Sequence, residues 1–168
     1  MKSFLKSIST VAVFVLALSF YGCASQDKKG ESLTGSDAAA KDATAFDLYG
    51  DSDNSKAGAL KTVYFDFNSS TLTGSTEETL KGNASFLKEN NKVKVQVEGH
   101  CDERGSIQYN LALGERRAKS VKDYLVASGV NADRITTISY GKEKPIAMGQ
   151  DEDSWSKNRR GNFVVTEK

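Results

Sequence analysis

Gly99-His100-Cys101-Asp102-Glu103-Arg104-Gly105, running on through Tyr109-Asn110 to Arg116-Arg117-Ala118, joins an alternating apolar stretch to a helical one. Before it, Val93, Val95 and Val97 alternate with Lys94, Gln96 and Glu98, which predicts a strand with one face buried and one wet. After it, Ser106 is placed to cap a helix. The buried stripe of that helix is Gly114, Ala118, Val121 and Leu125, and Gly129 closes it. The polar residues therefore crowd a strand-to-helix turn. Asn110 and Arg117 lie two helical turns apart, so they share a face and stand about 10 Å apart along the axis. Asp102 sits at the turn itself. A carboxylate, an amide and a guanidinium converging there suit a small ligand that carries both an ammonium and a carboxylate.

Moving outward, Thr62 to Phe67 alternates and is rich in β-branched and aromatic residues, as a strand should be. Ser75 with Glu78 reads as a capping box, followed by Leu80, Ala84 and Leu87 at helical spacing and a stop at Asn90-Asn91. Toward the C-terminus, Ile135 to Tyr140 is a third strand. A loop from Gly141 to Met148 carries the only proline, Pro145. Asp151 to Arg160 has room for one or two helical turns, and Gly161 to Glu167 is a last strand. The order is β-α-β-α-β-(short α)-β, an α+β fold with helices on one face of a mixed sheet.

The first sixty residues read differently. Met1 to Phe20 has a basic start at Lys2 and Lys6 and an apolar run from Ile8, shorter than the ~20 residues that span a bilayer. Gly22-Cys23 follows at once, and the stretch resembles a lipoprotein signal, in which that cysteine is acylated. With Ala24 rather than Asp next, the pattern implies the outer membrane. Several lipid chains hold firmly where one would not. Ala24 to Leu60 is rich in Ser, Gly, Asp, Ala and Lys without sustained periodicity, and reads as a tether. Phe46, Leu48 and Tyr49 are isolated apolar points along it that could dock locally. The domain plan is thus a signal peptide over 1–22, a lipidated N-terminus and flexible tether over 23–60, and a folded domain over 61–168.

Several chemistries are disfavoured. The 168 residues carry a net charge of +1, with no basic field for nucleic acid. His100 is the only histidine, and neighbours on a strand point to opposite faces, so His100 and Cys101 do not make a nucleophile pair while extended. Cys101 reads as a small buried filler, and His100 as a side chain whose hydrogen bond fixes the loop. Four consecutive residues, His100 to Glu103, cannot all face one metal ion. No Gly-Lys-Ser/Thr follows Gly105, which sets aside a phosphate loop. What remains is recognition without cofactor or metal.

Four ordered motifs now carry a resemblance: Gly99 to Gly105, Tyr109 to Ala118, Ser139-Tyr-Gly-Lys-Glu-Lys-Pro145 and Ser156-Lys-Asn-Arg-Arg160. They resemble the OmpA-like C-terminal domain family, and in particular its lipid-anchored members. The resemblance implies a four-stranded sheet of order 1-4-2-3 and noncovalent binding of the peptidoglycan stem peptide at meso-diaminopimelate. It carries the main ligand contacts onto Asp102 and Arg117, with Asn110 beside them. Phe65, Asp66 and Phe67 are expected to border the pocket, with Asn68 departing from the Asp often found there. Leu113 and Arg104 are further expected pocket residues, and Asn158 and Arg159 are secondary candidates. Implied partners are the outer membrane, through the lipid anchor, with TolB, TolA and outer-membrane proteins of the Tol-Pal system. An alternative is a module used mainly for docking a protein such as TolB, with wall binding secondary.

Overall fold

A computed structural model describes residues 47–168. The elements are β1 (Val63–Tyr64), α1 (Gly74–Glu89), β2 (Lys94–His100), α2 (Ile107–Ala127), a 3₁₀ turn (Ala132–Arg134), β3 (Ile135–Gly141), α3 (Glu152–Asn158) and β4 (Arg160–Glu167). The sheet order is β1-β4-β2-β3, with β2 and β3 parallel and both other pairings antiparallel. The expected α+β order and sheet are therefore present. Val95, Val97, Phe163 and Val165 meet Leu80, Leu87, Val121 and Leu125 in one core between sheet and helices. Each such side chain contributes roughly 1.5–3 kcal/mol by leaving water.

Helix α2 sits close to the sheet because two glycines let it. A Cβ on Gly99 would stand 1.9 Å from the Gly114 carbonyl oxygen, and one on Gly114 would stand 2.3 Å from Ser139 Oγ. The helix that carries Asn110 and Arg117 is thus seated directly above the end of β2.

Two expected boundaries move. The first strand is only two residues long, because Phe65 to Asn68 peels away toward α2. Phe65 N–H still bonds the Arg159 carbonyl at 2.9 Å, but Ser69 N–H then closes a turn on Asp66 O, and Asn68 takes a positive φ of 53°. Helix α1 is capped by Thr73, whose hydroxyl accepts from Thr76 N–H, and not by a box of Ser75 and Glu78. Side chains of α1 also guard the free edge of β1. Asn83 accepts from Lys61 N–H and donates to its carbonyl, and Thr76 Oγ1 donates to Tyr64 O. An edge treated in this way offers little to an incoming strand.

The larger correction concerns the tether. Its expected signal peptide, lipidated Cys23 and first part lie outside the described residues. Residues 47–60, however, belong to the fold. Tyr49 and Ser52 donate N–H bonds to Val165 O and Phe163 O, and Val165 N–H bonds Gly50 O, so this segment lines β4 beyond the short β1. Ala57 and Leu60 enter the core. Leu48 and Tyr49, the apolar points marked for docking, stay exposed. Asp53 pairs with buried Arg160 at 2.7 Å and accepts from Thr62, while Ser52 donates to Asn162. Asn162 in turn donates to Glu98. The sheet face expected to be wet is therefore partly covered by a polar network.

Trimming the chain to residues 61–168 would strand the Arg160 guanidinium without its carboxylate. It should lower unfolding free energy by about 3 kcal/mol or more relative to 47–168, as read by urea denaturation.

Candidate functional site

The site begins where β2 stops matching β3. The register shifts between Gly99 and His100, so that His100 faces Gly141, and Cys101 N–H bonds Gly141 O at 2.7 Å. The chain then turns inward. Asp102 Oδ1 accepts from Arg104 N–H and Arg104 Nε, both at 3.1 Å. Its Oδ2 accepts from Arg104 Nη2 at 2.6 Å and from Arg159 Nη1 at 3.4 Å. Burial alone would raise the Asp102 pKa, but the Arg104 bonds outweigh it and hold the carboxyl below its ordinary range. Gly105, at φ 95°, turns the chain back into α2, where Ser106 caps the helix as expected by accepting from Tyr109 N–H. Asn110 ties the loop down, donating to Arg104 O at 2.8 Å and Ser106 O at 3.2 Å.

Arg117 is fully buried, at 0% exposure. Its Nε donates to Ser69 O, Nη1 to His100 O and Nη2 to Asp66 O, at 2.8, 2.8 and 2.9 Å. The guanidinium is not an open fork. Three of its five N–H groups hold backbone carbonyls, and the guanidinium also engages the Cys101 thiol. Desolvation pushes the guanidinium pKa down, yet an arginine keeps its charge. Cys101, also buried, donates to Asn110 O, and burial pushes its thiol pKa up.

Asp102, Arg104, Asn110, Leu113 and Arg117 line one cavity of about 220 Å³, together with Phe67, Asn68, Cys101, Gly105 and Tyr109. The structure thus gathers five of the seven sequence-selected ligand residues. Phe65 and Asp66 are not among them. They line a separate, larger groove of about 480 Å³ beside β1 and α1. Phe65 is buried under Arg117, 5.1 Å from ring centre to guanidinium carbon, and Asp66 acts through its carbonyl. Phe67, expected at the border with them, does line the cavity, beside Asn68 and Tyr109, whose hydroxyl donates to Asn68. Asn158 holds the loop at Ile146 and Ala147. Arg159 backs Asp102 while also bonding Phe65 O and Glu152.

Arg104 and Trp155 form the feature that sequence reasoning missed. The Arg104 guanidinium lies between the Phe67 ring at 4.0 Å and the Trp155 ring at 3.9 Å. Trp155 is the only tryptophan, and its indole N–H reaches Glu103. A lone tryptophan in the short helix α3 was a visible signal, but no local pattern ties it to position 104.

His100 does not fix the loop with its ring. The ring stacks on Tyr140, Nε2 lies 3.4 Å from Glu98, and Nδ1 has no partner. Desolvation depresses its pKa, and its contribution to the loop is the carbonyl held by Arg117. The ring engages Glu98 while the Cys101 thiol engages Asn110 O, so the two do not form a nucleophile pair. Among the described residues no group of three or more His, Cys, Asp or Glu is placed to hold a metal. None of their helices is long and apolar enough to cross a membrane.

The pattern of the OmpA family matches residues 64–159, which takes in the turn, the cavity and most of the sheet. The chain belongs to the OmpA family. A peptidoglycan-associated lipoprotein of Pasteurella multocida (strain Pm70) is 50% identical over 99 residues, 59% of this chain and 66% of that one. The chain thus spans just under two thirds of that curated relative's length. One of Brucella melitensis biotype 1 is 35% identical over 168 residues, covering 98% of this chain and 95% of the relative. The crystal structure of the peptidoglycan-associated lipoprotein from Burkholderia pseudomallei superposes with a TM-score of 0.62 at 38% identity, over 67% of this chain and 97% of that one. Within this OmpA-family fold, the implied strand order 1-4-2-3 is the order observed.

Replacing Asp102 with Ala should cost about 2 kcal/mol or more at pH 7, by leaving buried Arg159 short of a partner. Because the folded carboxyl pKa lies below its ordinary value, that stabilisation is present above about pH 4 and drains away as pH falls further. The gap between wild type and variant in urea unfolding should therefore narrow steadily as the pH falls below about 4.

Proposed function

We propose that this chain is an envelope lipoprotein that binds peptidoglycan noncovalently at the diaminopimelate of the stem peptide and catalyses nothing. The observation that carries the reading is one cavity walled by an anionic and a cationic side chain, Asp102 and Arg117. Diaminopimelate presents an ammonium and a carboxylate on one side-chain carbon. The ammonium suits Asp102, and the carboxylate suits a cavity whose wall carries the arginine charge of Arg104 and, behind it, Arg117. Asn110 keeps the Asp102 loop in place, and Leu113 and Phe67 give the methylene chain an apolar wall. Catalysis would need a nucleophile or general base aimed into the cavity. Cys101, the thiol on its wall, has its pKa raised.

In this reading residues 1–22 are a lipoprotein signal, and Cys23 is acylated and held in the outer membrane. The stretch from 24 to about 46 is the tether, and 47–168 is the wall-binding domain facing the periplasm. The relatives' names support the lipoprotein and wall-binding parts. TolB, TolA and outer-membrane proteins are the partners it would share with the Tol-Pal system, in envelope integrity and cell division. Protein docking is the second reading. It is favoured by exposed apolar side chains at and beside the cavity, Phe67 and Tyr109 on its wall and Ile107 and Leu111 on the same helix.

The test is retention on purified sacculi. Asp102→Ala should bind at least about 30-fold more weakly than wild type, a loss of about 2 kcal/mol, while remaining folded by circular dichroism. Retention equal to wild type would sink the assignment. Arg117→Ala is less telling, because it also unties three carbonyls. Free diaminopimelate stem peptide should release the bound protein; release only by a protein partner would favour the docking reading.

A further inference from the structure

The Asp102 carboxylate is already satisfied. A carboxylate offers about four acceptor directions, and four N–H groups occupy them, three from Arg104 and one from Arg159. A ligand ammonium reaches Asp102 only if one of these cations yields. Arg159 is held on three sides, by Phe65 O, Asp102 and Glu152, and its side chain is 7% exposed. The Arg104 side chain is 31% exposed. Beyond Asp102 it lies 4.0 Å from Glu152, feels the charge of Glu103, and rests on the faces of Phe67 and Trp155. Arg104 is the group that can leave.

Its leaving has a consequence for selectivity. A ligand with a lone ammonium would exchange one cation for another on Asp102 and set a guanidinium free with nothing in return. A ligand with a carboxylate beside the ammonium hands the released guanidinium a new anion, in the bidentate geometry that arginine favours. The slot between Phe67 and Trp155 keeps the guanidinium at the mouth during the exchange. Resting on the peptidoglycan reading above, we propose that Arg104 is a built-in competing cation that restricts the Asp102 cavity to zwitterionic centres. Rejection of simple amines is then a property of the unliganded state, an instance of discrimination by repulsion of the wrong partner.

The probes are two synthetic stem tripeptides, identical except that the third residue is diaminopimelate in one and lysine in the other. Both carry the terminal ammonium, and only the first carries the neighbouring carboxylate. Calorimetry on wild type should show the diaminopimelate peptide bound and the lysine peptide bound far more weakly. In Arg104→Gln the lysine peptide should bind about 10-fold more tightly than to wild type, and the gap between peptides should narrow. Trp155 emission of the wild type should change on saturation with the diaminopimelate peptide, as the guanidinium turns from Asp102 to the ligand carboxylate and shifts across the ring. Normal wild-type binding with no gain for the lysine peptide in Arg104→Gln, or with unchanged emission, overturns the role of Arg104 alone. Failure of wild type to bind the diaminopimelate peptide overturns the peptidoglycan reading, and this proposal with it.

Discussion

The Arg117 guanidinium holds three pieces of main chain at once: the loop after β1 at Asp66 and Ser69, and the end of β2 at His100. Asp66 O also closes the turn from Ser69 N–H, and leaving buried carbonyls such as these short of donors would be costly. The arginine makes the loop geometry affordable, and the close seating of α2 on Gly99 makes the arginine available. The cavity is a by-product of that arrangement. Remove the guanidinium, and the wall formed by Phe67 and Asn68 loses its tie to the wall formed by Asp102.

That double duty explains what could be read from the chain and what could not. Alternation in Val93 to Val97 and the cap at Ser106 are local, and they placed β2 and α2 to within a residue or two. Asp102, Asn110 and Arg117 were legible because strand, turn and helix register alone bring them together. The shortness of β1 was not legible. Thr62 to Phe67 alternates like a strand, but a contact 51 residues away draws Asp66 out of the ladder. The Arg104 stack was hidden for the same reason, since its two rings come from opposite ends of the domain.

Residues 47–60 were hidden by a different cause. They attach mainly through backbone groups along β4 and through short polar side chains, Ser52 and Asp53, that end up covered. Attachment of that kind leaves no hydrophobic period to find. The composition is that of a linker, while the hydrogen bonds are those of a sheet margin. Only Ala57 and Leu60 add apolar burial, and two small contributions in fourteen residues do not stand out.

The route by which this segment joins the domain has a mechanical meaning. A load arriving from the N-terminal side meets the protein first along β4, a strand with neighbours on both sides, and not at the two-residue margin strand. Hydrogen bonds from Tyr49, Gly50 and Ser52 lie in a row along that strand, with the Asp53–Arg160 pair behind them. Tension along the chain would be spread over several of these links before any single one must break. The cavity beside Asp102, at the other end of β2, would feel little of the strain.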